Sequence, residues 1–250
     1  MATEGATTAD RTTAGGTTAG TADEAELLAA VTELGAALRE LVDVSVATTV
    51  DPAELRAAAA SAREISARLS ASRRGRDQLS VLDDVVQFRR VFNPVSGVGN
   101  PLAPPLVVHP VDGGVAAEAS LGMAYEGPPS YVHGGMSALL MDQLLGAATT
   151  EAGLWGMTAR LELDYRRPVP LQAPLLLRAA VSEVAGRRTV ISGTIALADA
   201  PEQTLVEARA VFVIPRPEKA AAYFGRITDA SGEAAPPRRP SDAAAVADAD

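Results

Sequence analysis

Cysteine is absent from the 250-residue sequence, and histidine occurs only twice. Without cysteine there can be no disulfide framework, thiolate zinc site or cysteine nucleophile. Aromatic residues make up 4% of the chain, and no run approaches the roughly 18 consecutive apolar residues of a membrane-spanning helix. The first residues lack the basic start and apolar core of a secretory signal. These absences predict a soluble, cytoplasmic protein without a membrane span.

Positive charge is also scarce, because 22 Lys and Arg stand against 31 Asp and Glu and give a formal net charge of −9. Proteins that bind nucleic acid usually carry a basic surface, so this balance argues against nucleic acid as a partner. A local basic patch for a small anionic ligand is still compatible with it. The hydrophobic fraction of 47% is sufficient for a well-packed core.

Composition and periodicity divide the chain into four parts. Apolar residues at three- and four-residue spacing predict a helix over 23–42, and Asp51 and Pro52 have the residue types that begin a second helix, over 51–76. Both ends of the chain are rich in Ala and small polar residues that cannot form a core. The predicted parts are a disordered tail (1–22), a helical hairpin extension (23–78), the main domain (80–216) and a mostly disordered tail (217–250).

Past residue 80 the hydrophobic period shifts towards two, as in strands. Two short segments flank Asp112-Gly113-Gly114, which is a strong hairpin signal. A long apolar segment follows, and then four more strand-like segments. In the first of these, 157–169, one face is predicted to carry Ala159, Leu161, Leu163 and Tyr165. The sequence therefore predicts an α+β fold, with one long apolar helix inside an antiparallel sheet.

One acid lies within the apolar helical segment. Asp142 is about two turns into it, too far along for an N-cap, and Asp is a poor residue for a helix interior. One interpretation is that Asp142 and Gln143 share a narrow solvated strip. The other is that Asp142 faces a cavity as a carboxylate suited to base chemistry.

Two glycines, Gly134 and Gly135, lie where the preceding loop becomes this helix. They permit a tight turn at little steric cost, which is a purely structural interpretation. Alternatively, the free N–H groups of a helix start can hold a carbonyl oxygen that becomes negative in a transition state.

Thr158 and two arginine pairs lie at predicted strand ends, where such residues are common. The pairs are either solvated edge residues or anchors for phosphate groups. They are Arg166 with Arg167, and Arg187 with Arg188.

Two other motifs carry no chemistry. "GGMSA" (134–138) resembles a nucleophile elbow around Ser137, but the closing Gly is missing and no His follows His133. His109 and His133 with one acid are too few ligands for a metal site, so none is predicted.

Two stretches, "EGPPSYVHGGMSALLMDQLLGAAT" (126–149) and "MTARLELDYRRPVPL" (157–171), resemble the hotdog-fold acyl-CoA thioesterases of the PaaI/THEM4-like family. The similarity extends over about 80–215. It rests on the HGG triplet at His133, on an acid nine residues later and on a Thr sixteen residues after that acid. A related branch has Asn at the position of Gly127 and lacks the Thr, so this chain fits the Asp/Thr branch.

The resemblance implies a hotdog fold, with an antiparallel sheet wrapped around one long helix, and an active site at a homodimer interface. In such a site Asp142 is the general base or nucleophile and Thr158 orients the attacking water. The N–H of Gly134, with or without that of Gly135, binds the thioester oxygen, and His133 shapes the loop. Dimers can pair into tetramers in this family.

The implied substrate is an acyl-CoA, whose CoA is part of the substrate, and no separate cofactor is expected. The arginine pairs then become candidate contacts for CoA phosphates. An alternative is a non-catalytic module that binds acyl-CoA or lipid. A hotdog dehydratase would need a catalytic His with its own acid partner, and His133 lies in a different motif.

Overall fold

The computed structural model describes residues 16–84 and 90–235, with only the backbone for 16–21. Two N-terminal helices precede the main domain, as the sequence predicts: α1 (Gly16–Ala47) and α2 (Pro52–Leu69). The first begins before the expected start at residue 23, and the second ends before residue 76. The predicted tail 1–22 lies mostly outside the described residues.

The second N-terminal helix is capped in the expected way but buries none of its residues. The Asp51 side chain accepts hydrogen bonds from the N–H groups of Ala53 and Glu54, at 2.8 and 3.1 Å, and Pro52 occupies the first turn. In the described part of the chain, no helix is long and apolar enough to cross a membrane.

The main domain contains one six-stranded antiparallel sheet and the helix α3 (Gly134–Glu151). The predicted order of two strands, one helix and four strands is confirmed, and so is the α+β class with a helix packed on an antiparallel sheet. In sheet order, the strands are β1 (Val107–Val111), β2 (Gly114–Ala119), β4 (Leu175–Ala185), β5 (Arg188–Leu197), β6 (Ala200–Val213) and β3 (Met157–Tyr165).

The helix α3 lies on one face of the sheet and contacts all six strands. Its leucines Leu140, Leu144 and Leu145 are buried in the core cluster. At β5, Gly193 allows this close approach, because a Cβ there would lie 2.6 Å from Met141 Cε and 2.7 Å from the Arg178 carbonyl oxygen. The small residue in β5 therefore sets how closely the helix approaches the sheet.

The edge strand β3 contains a bulge that reverses its side-chain phase. Thr158 pairs with Phe212 and Arg160 pairs with Val211, so Ala159 is the extra residue. Leu161 pairs with Ala210, which lies two positions from Phe212 in β6, and both partners belong to the core cluster. Directly paired residues share a face, so the bulge brings Thr158 to the face that packs on α3. Strict alternation would have placed Ala159 there instead. Most of β3 is exposed, rather than half-buried as predicted.

The first helix also packs against the main domain. Arg39 Nη1 donates to the carbonyl oxygens of Val98 and Asn100, at 2.9 and 3.1 Å. Gly35 is buried at this contact, where a Cβ would lie 2.2 Å from the Val98 oxygen. The N-terminal extension is thus fixed to the loop that precedes β1.

A fourth helix, α4 (Pro217–Phe224), lies within the span predicted as a mostly disordered tail. Phe224 contacts Trp155 edge to face, with ring centroids 6.2 Å apart. After the helix, Thr228 N–H donates to Asp77 O at 3.0 Å, and Leu79 N–H donates to Thr228 O at 2.8 Å. These contacts give an Ala-rich segment the tertiary anchors that its composition does not indicate.

Candidate active site

The loop before α3 is tightly turned. Gly127 N–H donates to Tyr131 O, and His133 N–H donates to Tyr125 O, both at 2.9 Å. Within the turn, Ser130 has a φ of 72°, and its N–H is held by the Glu126 carboxylate at 2.9 Å. A Cβ at Gly127 would lie 2.7 Å from His133 Cα. The loop therefore excludes the asparagine that the related branch has at this position.

His133 is the N-cap of α3. Its Nδ1 accepts a hydrogen bond from Gly135 N–H at 3.0 Å. This contact occupies both the Gly135 donor and the Nδ1 lone pair. In contrast, Gly134 N–H has no acceptor among the described residues. Of the two predicted oxyanion donors, Gly134 is the one left free at the start of the helix.

Tyr165, which was not among the predicted site residues, holds the carbonyl group of Gly134. The Tyr165 hydroxyl donates to Gly134 O at 2.8 Å. A Cβ at Gly134 would lie 3.3 Å from that hydroxyl oxygen. The available signal was that Tyr165 continues the inward-facing series of β3. This contact fixes the Gly134–Gly135 peptide, which follows the peptide that carries the free N–H.

The carboxylate of Asp142 meets Thr158 across the interface between α3 and β3. Thr158 Oγ1 donates to Asp142 Oδ1 at 2.8 Å. The Thr158 lone pairs are then free to accept, and Asp142 Oδ2 has no hydrogen bond to any described residue. Asp142 is partly buried and Thr158 is exposed. Two predicted site residues, 16 positions apart in sequence, are thus in direct contact.

Gln143 does not share a solvated strip with Asp142. Its Oε1 accepts from Asn93 Nδ2 at 2.9 Å, on the side of the loop before β1. Asn93 is itself held, because its Oδ1 accepts from Val95 N–H at 2.7 Å. The neighbouring polar residues of α3 therefore have different partners, and that of Asp142 is Thr158.

The predicted oxyanion donor and the Asp142 carboxylate are far apart within one chain. Gly134 and Asp142 lie eight positions apart on α3, which corresponds to ~12 Å along the helix axis. Both groups of a hydrolytic site must lie about 3 Å from the reacting atoms. A single chain therefore does not bring its own Gly134 N–H and Asp142 to one thioester carbonyl.

The four predicted arginines have different surroundings. Arg166 Nη2 lies 2.8 Å from Glu207 Oε2. This hydrogen bond raises the pKa of Arg166 and lowers the pKa of Glu207. Arg167 donates to Thr204 O at 3.3 Å. Arg188 is exposed at the start of β5.

Of the four, only Arg187 lines the same open pocket as Thr158, with a volume of about 410 Å³. Arg187 Nη1 also donates to Ile214 O at 2.8 Å. The structure thus places one predicted arginine at the same pocket as Thr158.

The residues of the two rejected motifs have different surroundings. Ser137 is 1% exposed, and His109 lies on the exposed edge strand β1. Within residues 16–84 and 90–235, no cluster of three or more His, Asp or Glu side chains could hold a metal ion.

Comparison with known proteins agrees with the fold. Residues 130–201 match the family model described as thioesterase superfamily. Acyl-coenzyme A thioesterase THEM4 of Mus musculus is 35% identical over 99 residues, which cover 39% of this chain and 42% of that protein. The Xenopus laevis protein of the same name is 34% identical over 88 residues, covering 35% and 39%. The chain thus spans about two fifths of the length of these relatives.

A solved structure extends the similarity over most of the chain. This thioesterase superfamily protein is 36% identical, with a TM-score of 0.66, over 74% of this chain and 90% of its own length. The region of similarity extends well beyond the Asp142–Thr158 motif. The chain therefore belongs to the thioesterase superfamily.

Proposed function

We propose that the protein is an acyl-CoA thioesterase in which Asp142 activates water for attack on the thioester. The observation that carries this proposal is the 2.8 Å hydrogen bond between Thr158 and Asp142, beside an open pocket. The similarity to proteins named acyl-coenzyme A thioesterase supports the substrate class. The activity is proposed for this chain, because it covers only part of those relatives.

The unused atoms of the pair are suited to holding a water molecule. The Thr158 oxygen can accept a hydrogen bond from one O–H of the water, while Asp142 Oδ2 accepts one from the other. As the water oxygen attacks the carbonyl carbon, its proton passes to Asp142. The C–S bond then breaks, the proton held by Asp142 passes to the thiolate, and the acid and free thiol leave with Asp142 again ionised. The carbonyl oxygen, negative in the intermediate, is held by Gly134 N–H.

The second part of the proposal is that each site forms between two copies of the chain. The ~12 Å between Gly134 and Asp142 along α3 supports a shared site, because one copy can supply the N–H and the other the carboxylate. The mostly exposed edge strand β3 offers unpaired main-chain groups for pairing with a second β3. Thr158 and Tyr165 both belong to this edge strand.

Mixed dimers test the shared site. Asp142→Asn removes the base, and Gly134→Pro removes the N–H at the first helical position, where Pro is tolerated. Each homodimer should be inactive, whereas a mixed dimer should regain activity because one of its two sites has both groups intact. The control is the mixed dimer of wild type and Asp142→Asn. Purified mixed dimers of the two variants that stay inactive would contradict a shared site.

Thiol release from a panel of acyl-CoAs tests the activity itself. We expect turnover of at least one acyl-CoA without added metal or cofactor. Thermal stabilisation by acyl-CoA without turnover of any panel member would instead identify a non-catalytic binding module.

A further inference from the structure

The pocket beside Thr158 is cationic in a chain that is acidic overall. Its volume is about 410 Å³, and three of its lining residues are Arg187, Arg216 and Lys219. Of the described residues that line it, none is acidic. The formal net charge of the chain is −9. Three cations around one opening are therefore a local exception, and an anionic ligand is the occupant that their charge favours.

Two of these cations have no hydrogen-bond or ion-pair partner among the described residues. The Arg216 side chain makes no cap hydrogen bond to α4. Neither Arg216 nor Lys219 forms an ion pair within the described ranges. They lie three positions apart, around the first turn of α4, where side chains at this spacing are neighbours on the helix surface. Their donors are therefore free for a ligand.

The backbone around the pocket that Thr158 lines is held by contacts within the chain. Ile214 N–H donates to Arg187 O at 2.9 Å, and Arg187 Nη1 donates back to Ile214 O at 2.8 Å. The packing of Phe224 on Trp155 holds the far end of α4 against the segment that leads into β3. The pocket thus has cations and Thr158 on one continuous, anchored surface.

We propose that Arg216 and Lys219, with Arg187, bind a phosphate group in the thiol part of the thioester substrate. The helix α4 then selects thioesters whose thiol part is phosphorylated. This inference rests on the proposed thioesterase function, and it assigns substrate recognition to a segment outside the sheet and α3. Guanidinium and ammonium groups form charge-assisted hydrogen bonds with phosphate oxygens. Phosphate-free thioesters of the same acyl group should not use these contacts.

A double variant, Arg216→Gln with Lys219→Gln, removes the charges without removing a fold contact. We expect its KM for a hydrolysed acyl-CoA to rise roughly 5- to 50-fold while kcat stays nearly unchanged. Its kinetics with the matching acyl-N-acetylcysteamine thioester, which lacks phosphate, should equal those of the wild type. The matched control is Arg226→Gln, an exposed arginine that follows α4 and does not line the pocket.

An unchanged KM for acyl-CoA, or an equal change with the phosphate-free thioester, would overturn the phosphate site. Calorimetric titration with free coenzyme A separates this outcome from failure of the proposed function. If the wild type hydrolyses no thioester, weaker coenzyme A binding by the double variant than by Arg226→Gln still supports the site. Equal coenzyme A affinity in both variants overturns the site, whether or not hydrolysis is observed.

Discussion

Thr158 Oγ1 donates a hydrogen bond to Asp142 Oδ1 at 2.8 Å, and this bond joins the start of the edge strand to the middle of the central helix. The contact depends on a β-bulge, because Ala159 is the extra residue that turns Thr158 towards α3. At the other end of β3, Tyr165 holds the first helical peptide through Gly134 O. One strand therefore fixes the two groups that a chain would contribute, one to each of the two shared sites that we propose.

Two replacements of Thr158 should distinguish the effect of its hydroxyl from the effect of its side-chain shape. Thr158→Val keeps the branched side chain but loses the hydrogen bond to Asp142, so we expect kcat to fall roughly 10- to 100-fold. Thr158→Ser keeps the hydroxyl and should retain most of the activity. Steady-state kinetics of the two variants give the comparison, and equal rates for Val and Ser would show that the hydroxyl has no role.

Loss of the Gly134 N–H should affect the chemical step more than substrate binding. For Gly134→Pro we expect kcat to fall by ~10²–10³, the usual effect of deleting one oxyanion-hole donor. Gly134→Ala keeps the N–H and adds a Cβ 3.3 Å from the Tyr165 hydroxyl, so it controls for steric change. Circular dichroism checks the fold of both variants, and a Pro variant as active as the Ala variant would exclude Gly134 N–H as the donor.

Close packing of α3 on the sheet predicts a cost for any side chain at Gly193. Gly193→Ala should lower the free energy of unfolding by about 1–3 kcal/mol, because its Cβ would meet a backbone oxygen that cannot rotate away. Gly75→Ala is the matched control, since the nearest atom to its Cβ would be 3.9 Å away. Urea unfolding gives both values, and equal stabilities would contradict the tight contact.

The pH at which Glu207 takes up a proton depends on its hydrogen bond to Arg166. That hydrogen bond lowers the pKa of Glu207 below its ordinary value of 4.5. Its stabilising contribution is therefore present above the ordinary pKa and is lost as the pH falls through the lowered, folded-state pKa. Arg166→Gln should raise the pKa of Glu207 in an NMR titration. Arg188→Gln should leave it unchanged, and the same pKa in both variants would contradict the pairing.

The candidate site residues could be selected from the sequence, but the geometry that joins them could not. Alternation from Leu161 and Leu163 places Ala159 on the inner face, and a bulge cannot be read from this period, because one extra residue reverses it. The spacing from Asp142 to Thr158 indicated a site because it resembles the spacing in a known family. The contact of Tyr165 with Gly134, 31 positions away, had no local signal.

The helix α4 did have a signal. Arg216-Pro217-Glu218 places Pro at the first helical position and an acid in the first turn, as helix starts often do. Composition favoured a tail instead, because Ala, Asp and Pro dominate the chain end. The deciding contact, Phe224 with Trp155, is tertiary and could not be deduced from either segment alone.

The most direct test of the central claim is the turnover number of Asp142→Asn with an acyl-CoA that the wild type hydrolyses. Glu151→Gln, which removes an exposed carboxylate from the end of the same helix, is the matched control. We predict that kcat falls by ~10²–10⁴ in Asp142→Asn and stays close to wild type in Glu151→Gln. An Asp142→Asn enzyme that keeps the wild-type kcat would contradict the assignment of Asp142 as the group that activates water.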